Sequence, residues 1–290
     1  REIVASYQVP SVRRAVWQLT STTVLFMITV CLMYWSLSVS YILTLALAFP
    51  AAGLAIRIFI FQHDCGHGSF FPSSKWNHIV GWVTGIISAT PYLYWRRTHN
   101  LHHASSGDLG RRGTGDIKTL TVQEYLNCSW IQRVKYRLYR NPIILLGVGP
   151  TYILIKHRWP GRQVRGKLEI INIHVTNLAL AAMITMFSLL IGFREFMLIW
   201  LPIMLISGTV GVWLFYVQHQ FEDSYWRYKP DWNPIISAMA GSSYYKLPKV
   251  AQWFTGNIGF HHVHHLSPLI PNYQLERCHR ENPIIQEVTR

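Results

Sequence analysis

Long uncharged runs of hydrophobic residues alternate along this chain with basic, histidine-rich segments. The first run extends from Ala15 to Ile56 without one charged side chain. At roughly 20 residues per crossing, that is enough for two membrane spans. Ser36, Ser38, Ser40 and Tyr41 mark a break, so the pattern predicts one helix over residues 17–37 and a second over 41–60. Pro50 is placed to kink the second helix. Arg57 falls near its end, where a long side chain is expected to snorkel to the interface. The pattern returns in residues 170–193 and 196–221, two uncharged runs split only by Arg194 and Glu195. Two transmembrane hairpins, four spans in all, predict an all-α integral membrane fold.

The intervening segments are harder to place by hydropathy. Residues 78–95 lack Asp, Glu, Lys and Arg, but Gly81, Gly85 and Pro91 interrupt them. A full crossing there would put the histidines on either side of it on opposite faces of the membrane, so a re-entrant or interface-lying segment is expected. Residues 104–169 are mostly polar and basic. Within them Gly107–Asp116 reads as a Gly/Arg-rich loop. Arg133, Lys135, Arg137 and Arg140 form a basic amphipathic stretch suited to anionic lipid headgroups or to an acidic electron-donor protein. Residues 141–155 are apolar but short, hence interfacial. The expected organisation is one membrane domain over residues 1–290: a hairpin at about 17–60, interfacial segments at 61–169, a second hairpin at about 170–221, and a polar part at 222–290.

Composition agrees with a membrane protein. Half of the 290 residues are hydrophobic and only 14% are charged, against about a quarter in soluble domains. The formal net charge of +14 fits an anionic membrane surface; no nucleic-acid-binding motif accompanies it, so no nucleic-acid partner is expected. Cys31, Cys65, Cys128 and Cys278 are scattered, without C-x-x-C spacing or a disulfide framework. No cleavable signal peptide is apparent. With two crossings per hairpin, the segments that follow each hairpin return to one face. Arg13, Arg14, Lys156, Arg158, Arg162, Arg165 and Lys167 flank helix starts on that face, which predicts that it is cytoplasmic.

The candidate chemistry is histidine. His99, His102 and His103 are spaced H-x-x-H-H, and so are His261, His264 and His265; His63 and His67 add an H-x-x-x-H pair. With 14 histidines, chance yields one H-x-x-H-H on the order of a few times per hundred such chains, so two copies plus a pair carry information. On a helix, positions i, i+3 and i+4 share a face, and the three imidazoles are expected to project together. His219 stands at the exit of the second hairpin as His63 stands at the exit of the first. Nine imidazoles exceed one closed structural zinc site and fit two metals, whose identity spacing does not give. Asp64 either supports a ligand imidazole or is solvated. H-E-x-x-H is absent, and the single E-x-x-H, Glu276 to His279, reads as coincidence. His78, His157, His174 and His279 are expected to be structural or solvated.

His63-Asp64-Cys65-Gly66-His67, His99-Asn100-Leu101-His102-His103 and His261-His262-Val263-His264-His265 resemble the three histidine boxes of the integral-membrane fatty acid desaturases. Gln218-His219-Gln220-Phe221-Glu222, Gly256-Asn257-Ile258-Gly259-Phe260 and Gly107–Asp116 extend the likeness toward bacterial acyl-lipid desaturases of the delta-5 and delta-12 kind. The resemblance implies a non-haem di-iron centre, molecular oxygen as co-substrate, and removal of hydrogen from a lipid acyl chain at the cytoplasmic face of the bacterial cell membrane. It implies His63, His67, His99, His102, His103, His261, His264 and His265 as iron ligands, with His219 as a ninth. His262 occupies a variable position and is expected to pack or to support a ligand. An asparagine that holds a metal-bound water in some relatives has no counterpart, because Phe215 stands one turn before His219; Asn257 is a substitute candidate. Phe70, Phe71, Tyr92, Tyr94 and Trp95 are candidates to line an acyl channel or to anchor at the interface. Electrons are expected from a separate protein such as ferredoxin or flavodoxin.

Two other readings remain open on the sequence. A fatty acid hydroxylase or carotenoid-modifying oxygenase would use the same scaffold and differ in product. A metal transporter or bis-histidine haem protein would be no enzyme; a transporter would carry ionisable ligands inside its spans, whereas here they gather at helix exits.

Overall fold

The computed structural model describes residues 2–113, 115–161 and 163–287; Arg162 lies outside them. Its elements, in order, are α1 (Glu2–Ala5), α2 (Val12–Ser36), α3 (Tyr41–His67), α4 (Ser74–Ile87), α5 (Tyr92–Ser105), α6 (Val122–Asn127), α7 (Trp130–Arg140), a π-helical turn (Ile144–Val148), α8 (Gly149–Lys156), α9 (Lys167–Ile191), α10 (Phe193–His219), α11 (Pro234–Ala240), α12 (Lys249–Phe254), α13 (His261–Leu266), α14 (Asn272–Glu281) and α15 (Pro283–Glu287). There is no β-strand among the described residues, only the isolated bridges Asp108–Arg227 and Tyr244–Phe260.

Four helices, α2, α3, α9 and α10, are long and apolar enough to cross a membrane. At 1.5 Å per residue, 25 to 27 residues span more than the ~30 Å hydrocarbon layer. This is an all-α membrane protein. α3 is its central helix. Ala48, Ala51 and Ala55 give it a small-residue face on which Met33 of α2 and Ile199 and Ile203 of α10 close tightly, the packing that bilayer helices use where hydrophobicity alone cannot drive them together. Ser36 and Thr44, buried, share a 2.7 Å hydroxyl hydrogen bond across the first hairpin. Trp17, Ile28, Leu32 and Trp35 on α2, and Leu178 and Leu189 on α9, point outward, as a lipid-facing surface requires.

α3 runs unbroken through Pro50 and seven residues past the expected end at 60. Gly68 stops it in a left-handed C-cap at φ +75°, a conformation that a side chain disfavours. His63 and His67 therefore stand on the helix itself, in its last two turns. The extension also corrects the reading of Arg57. Far from the helix end, it does not snorkel: it is 5% exposed, donates to Thr22 Oγ1 at 3.1 Å and to the carbonyl of Trp253, and lies over the Trp253 ring.

Residues 78–95 form no span. α4 and α5 have 14 residues each, too short to cross, and turn at Ala89, where φ is +51°. Beyond them α7 and the Ile144–Lys156 stretch meet at 63°. Phe70, Phe71 and Tyr92 fill a buried cluster with Phe61, Cys65 and Val80. The Tyr92 hydroxyl donates to the Cys65 carbonyl, which ties α5 to the end of α3. The core beneath the C-terminal part is Met239, Phe260, Val263, Ile270, Leu275 and Cys278, and it carries α13.

Candidate metal centre

Four elements deliver the histidines. α3 supplies His63 and His67 one turn apart. α5 supplies His99, His102 and His103. α10 ends on His219, and the short α13 carries His261, His264 and His265. α13 is held against α10 through Gln218, whose Nε2 donates to the Ile258 carbonyl at 2.9 Å and whose own carbonyl accepts from the Ser243 N–H. All nine residues converge, with ring nitrogens in two sets. His63, His67, His99, His103 and His264 form one group; His102, His219 and His265 form the other, with ligand atoms within 4.8 Å of one another in each. His261 Nε2 joins the second at 2.9 Å from His219 Nε2.

The division corrects the expectation that the three imidazoles of each H-x-x-H-H box project together. In α5 the i and i+4 histidines, His99 and His103, enter the five-membered group, while His102 turns to the other. In α13 the pattern is reciprocal: His261 and His265, again i and i+4, enter the second group, while His264 crosses to the first. The bridging contacts are His264 Nε2 to His103 Nε2 at 3.0 Å and His102 Nε2 to His219 Nε2 at 3.1 Å. At 3.6 residues per turn the i+4 ring lies about 40° to one side of i and the i+3 ring about 60° to the other, so two helices facing each other can each serve two sites.

The electrostatics favour neutral imidazoles. Burial, and after it the neighbouring imidazoles, hold His99, His103, His264 and His265 well below the ordinary histidine pKa; burial followed by His219 does the same for His261. Neutral nitrogens are what a metal needs. The buried Nε2 atoms of His67 and His265 have no hydrogen-bond partner among the described residues, an arrangement costly in itself and satisfied by a cation. Nitrogen spacings near 3 Å suit ligands at about 2.1 Å from one ion. The donor set fits two metal ions.

Supporting contacts surround the rings. Asp64 is buried, not solvated: His63 Nδ1 donates to its Oδ1 at 3.0 Å, while its Oδ2 accepts from the backbone and side-chain amides of Asn272, both at 2.9 Å. Trp95 stacks on His99 with centroids 4.5 Å apart. The Phe215 ring lies 5.2 Å from both His102 and His219, one turn before His219, and offers no polar atom to a water there. Asn257 is engaged elsewhere, in a left-handed turn, donating to the Asn272 carbonyl at 3.1 Å. His262 turns away and pairs with His279 at 3.0 Å, and Glu276 pairs with Lys249, so neither residue of the E-x-x-H spacing joins the cluster. His78 faces Arg96, His157 packs by Tyr94, and His174 is exposed.

Sequence reasoning missed Asp116, whose Oδ1 lies 2.5 Å from His102 Nδ1; its place in a Gly-rich loop gave no periodic signal. Three arginines of α7 have partners on the protein. Arg133 donates to the carbonyls of Cys128 and Leu126, Arg137 to the Tyr125 hydroxyl, and Arg140 to Gln220 and Tyr216. These arginines fold back on the protein, and Trp130, Ile131, Val134 and Leu138 are left exposed.

A family model described as fatty acid desaturase matches residues 36–287. The chain is 49% identical over 286 residues to a "Fatty acid desaturase" of Bacillus subtilis (strain 168), covering 98% of this chain and 81% of that one. It is 25% identical to an "sn-1 oleoyl-lipid 12-desaturase" of Anabaena variabilis, over 91% of this chain and 75% of that one. It is 27% identical to an "sn-1 acyl-lipid omega-3 desaturase (ferredoxin)" of Synechocystis, over 80% and 66%. The protein belongs to the fatty acid desaturase family and is an enzyme of that family.

Proposed function

We propose that this protein is an oxygen-dependent acyl-lipid desaturase that introduces a cis double bond into a membrane-lipid acyl chain at a di-iron centre. The observation that carries the reading is the reciprocal sharing of the α5 and α13 histidines between two adjacent nitrogen groups, which His63, His67 and His219 complete from the ends of the membrane helices α3 and α10. One iron would be held by His63, His67, His99, His103 and His264, the other by His102, His219, His261 and His265. Iron in such a site supplies the oxidation of an unactivated C–H bond with O2, which zinc cannot. Two hydrogens leave adjacent methylenes, and with two electrons and two protons from outside they reduce O2 to two waters.

The chain's own residues supply position and shelter. Phe215 presents an apolar ring beside His102 and His219, a surface for a methylene rather than for water. Ile117 and Trp226 line the same narrow cavity. Trp95 covers His99 from the other side. The neutral ligand set suits a site in low dielectric, where uncompensated charge is expensive. The histidine-bearing helix ends face the cytoplasm of a bacterial cell in this reading, because Arg13, Arg14, Arg165 and Lys167 start helices on that side. The electrons come from a separate donor protein, ferredoxin or flavodoxin; the Synechocystis relative carries ferredoxin in its name.

The test is gas chromatography–mass spectrometry of membrane lipids from a bacterial host expressing the chain, with double bonds derivatised to locate them. A new unsaturated acid is expected. A hydroxylated acid would move the assignment to a hydroxylase. No product with iron and donor supplied would overturn the reading.

A further inference from the structure

The loop before α6 closes on the back of one histidine. Asp116 Oδ1 accepts from His102 Nδ1 at 2.5 Å, and Oδ2 accepts from the backbone N–H of Gly113 at 3.2 Å. Both side chains are nearly buried, 2% exposed for His102 and 8% for Asp116. Among the described residues His102 is the only ion-pair partner of this carboxylate. The approach is tight. A Cβ on Gly115 would lie 3.2 Å from His102 Cβ and 3.3 Å from the Thr98 carbonyl, and its φ is +74°. Glycine is therefore required there on two grounds, and the loop is pressed onto α5 behind the ring.

The consequence lies on the other side of the ring. A carboxylate at Nδ1 fixes the proton on Nδ1 and leaves a lone pair at Nε2. His219 is fixed the same way, since its Nδ1 donates to the Gly241 carbonyl at 3.3 Å. Two lone pairs then face each other across 3.1 Å, an arrangement that repels unless a cation lies between them. Among the described residues, His102 is the only member of the second group with a carboxylate behind it.

We propose that Asp116 is a positioning residue that locks His102 in the Nδ1–H tautomer and aims its Nε2 at the second metal. The inference rests on the di-metal reading and adds the residue that makes the second site bind. Partners of this kind, when removed, typically lower metal affinity 10–100-fold. The assay is anaerobic titration of the purified full-length protein with ferrous ion against a chromogenic chelator, with the thermal midpoint of the metal-free protein measured alongside. The parent should take two equivalents. Asp116→Asn, of the same size, should keep one at parental affinity and weaken the other 10–100-fold, with an unchanged metal-free midpoint. His102→Ala should lose the same equivalent, and Asp116→Glu should recover part of the loss. Two equivalents at parental affinity in Asp116→Asn would overturn this proposal and leave the di-metal reading standing. Weakening of both equivalents with a lowered midpoint would mean a merely structural role and would overturn it too. A parent that takes no iron would overturn both.

Discussion

The guanidinium carbon of Arg57 lies 4.3 Å from the centroid of the Trp253 ring, and the same guanidinium donates to the Trp253 carbonyl. This one side chain joins the membrane helix α3 to α12 in the C-terminal part. Its Nε also reaches Thr22 on α2. A buried cation without a carboxylate partner is expensive unless its donors are satisfied and its charge faces a ring. Here Nε and Nη1 both donate and the charge faces the Trp253 ring. Arg57→Ala is expected to cost about 1–3 kcal/mol through the stranded carbonyl and lost packing. Arg57→Lys should recover little of it, because an ammonium cannot make the planar fork. Thermal unfolding in detergent measures this; a Lys variant as stable as the parent would mean that charge alone suffices.

The reciprocal use of the two boxes predicts which variants resemble each other. His264→Ala should behave like His99→Ala, although 165 residues separate them, because both remove nitrogen from the five-membered group. His265→Ala should behave like His219→Ala. Iron content should fall by about one equivalent in every case, and desaturation by 100-fold or more, since the two sites act together. Double variants separate the two groupings: His99→Ala with His264→Ala should still lose about one equivalent, whereas His264→Ala with His265→Ala should lose both, and the reverse result would mean that the division into two groups is wrong.

Hydropathy made the four spans legible because a 25-residue uncharged run has few alternatives in water. It placed the end of α3 too early because His63, Asp64 and His67 look like interface residues, whereas burial against α5 and α13 keeps them helical. That one boundary misplaced Arg57. Spacing made the histidines legible as a cluster but not as two groups: periodicity tells which residues share a helix face, while the division depends on the facing helix. Asp116 was invisible for a related reason. It is brought to His102 by a glycine loop, and loops have no period. The amphipathic character of α7 was legible, but not the carbonyls and hydroxyls to which Arg133, Arg137 and Arg140 bend.

Of the two roles that its sequence suits, the contacts of α7 favour the membrane surface. Trp130, Val134 and Leu138 follow one another at i, i+4 and i+8, with Ile131 beside them, and Trp130 is 73% exposed. An apolar side with arginines folded toward the protein suits the plane of a membrane surface. A polarity-sensitive fluorophore on a cysteine at Val134 should shift to the blue when the protein enters liposomes, and brominated lipids should quench it. Lys135→Glu should change donor-dependent turnover less than two-fold. A label at 134 that stays water-exposed, with turnover suppressed by Lys135→Glu, would return this helix to a protein-docking role.

Acid should unfold the metal-free protein earlier than a typical helical membrane protein. Burial and mutual repulsion hold His99, His103, His261, His264 and His265 below their ordinary pKa, while in the unfolded chain each titrates near 6.5. Below that value the unfolded chain binds protons that the folded chain refuses, so stability is full above about pH 6.5 and falls as pH drops. Each histidine that stays neutral contributes up to about 1.4 kcal/mol of loss per pH unit. The thermal midpoint of the apo-protein should thus hold between pH 8 and 7 and decline steeply from 6.5 to 5.5. Bound iron should protect against the decline until protons displace it, because metal and proton compete for the same lone pairs. His265→Asn should flatten the slope by about one proton. A midpoint independent of pH over that window would mean that the cluster accepts protons while folded, and that the imidazoles are less tightly enclosed than their burial implies.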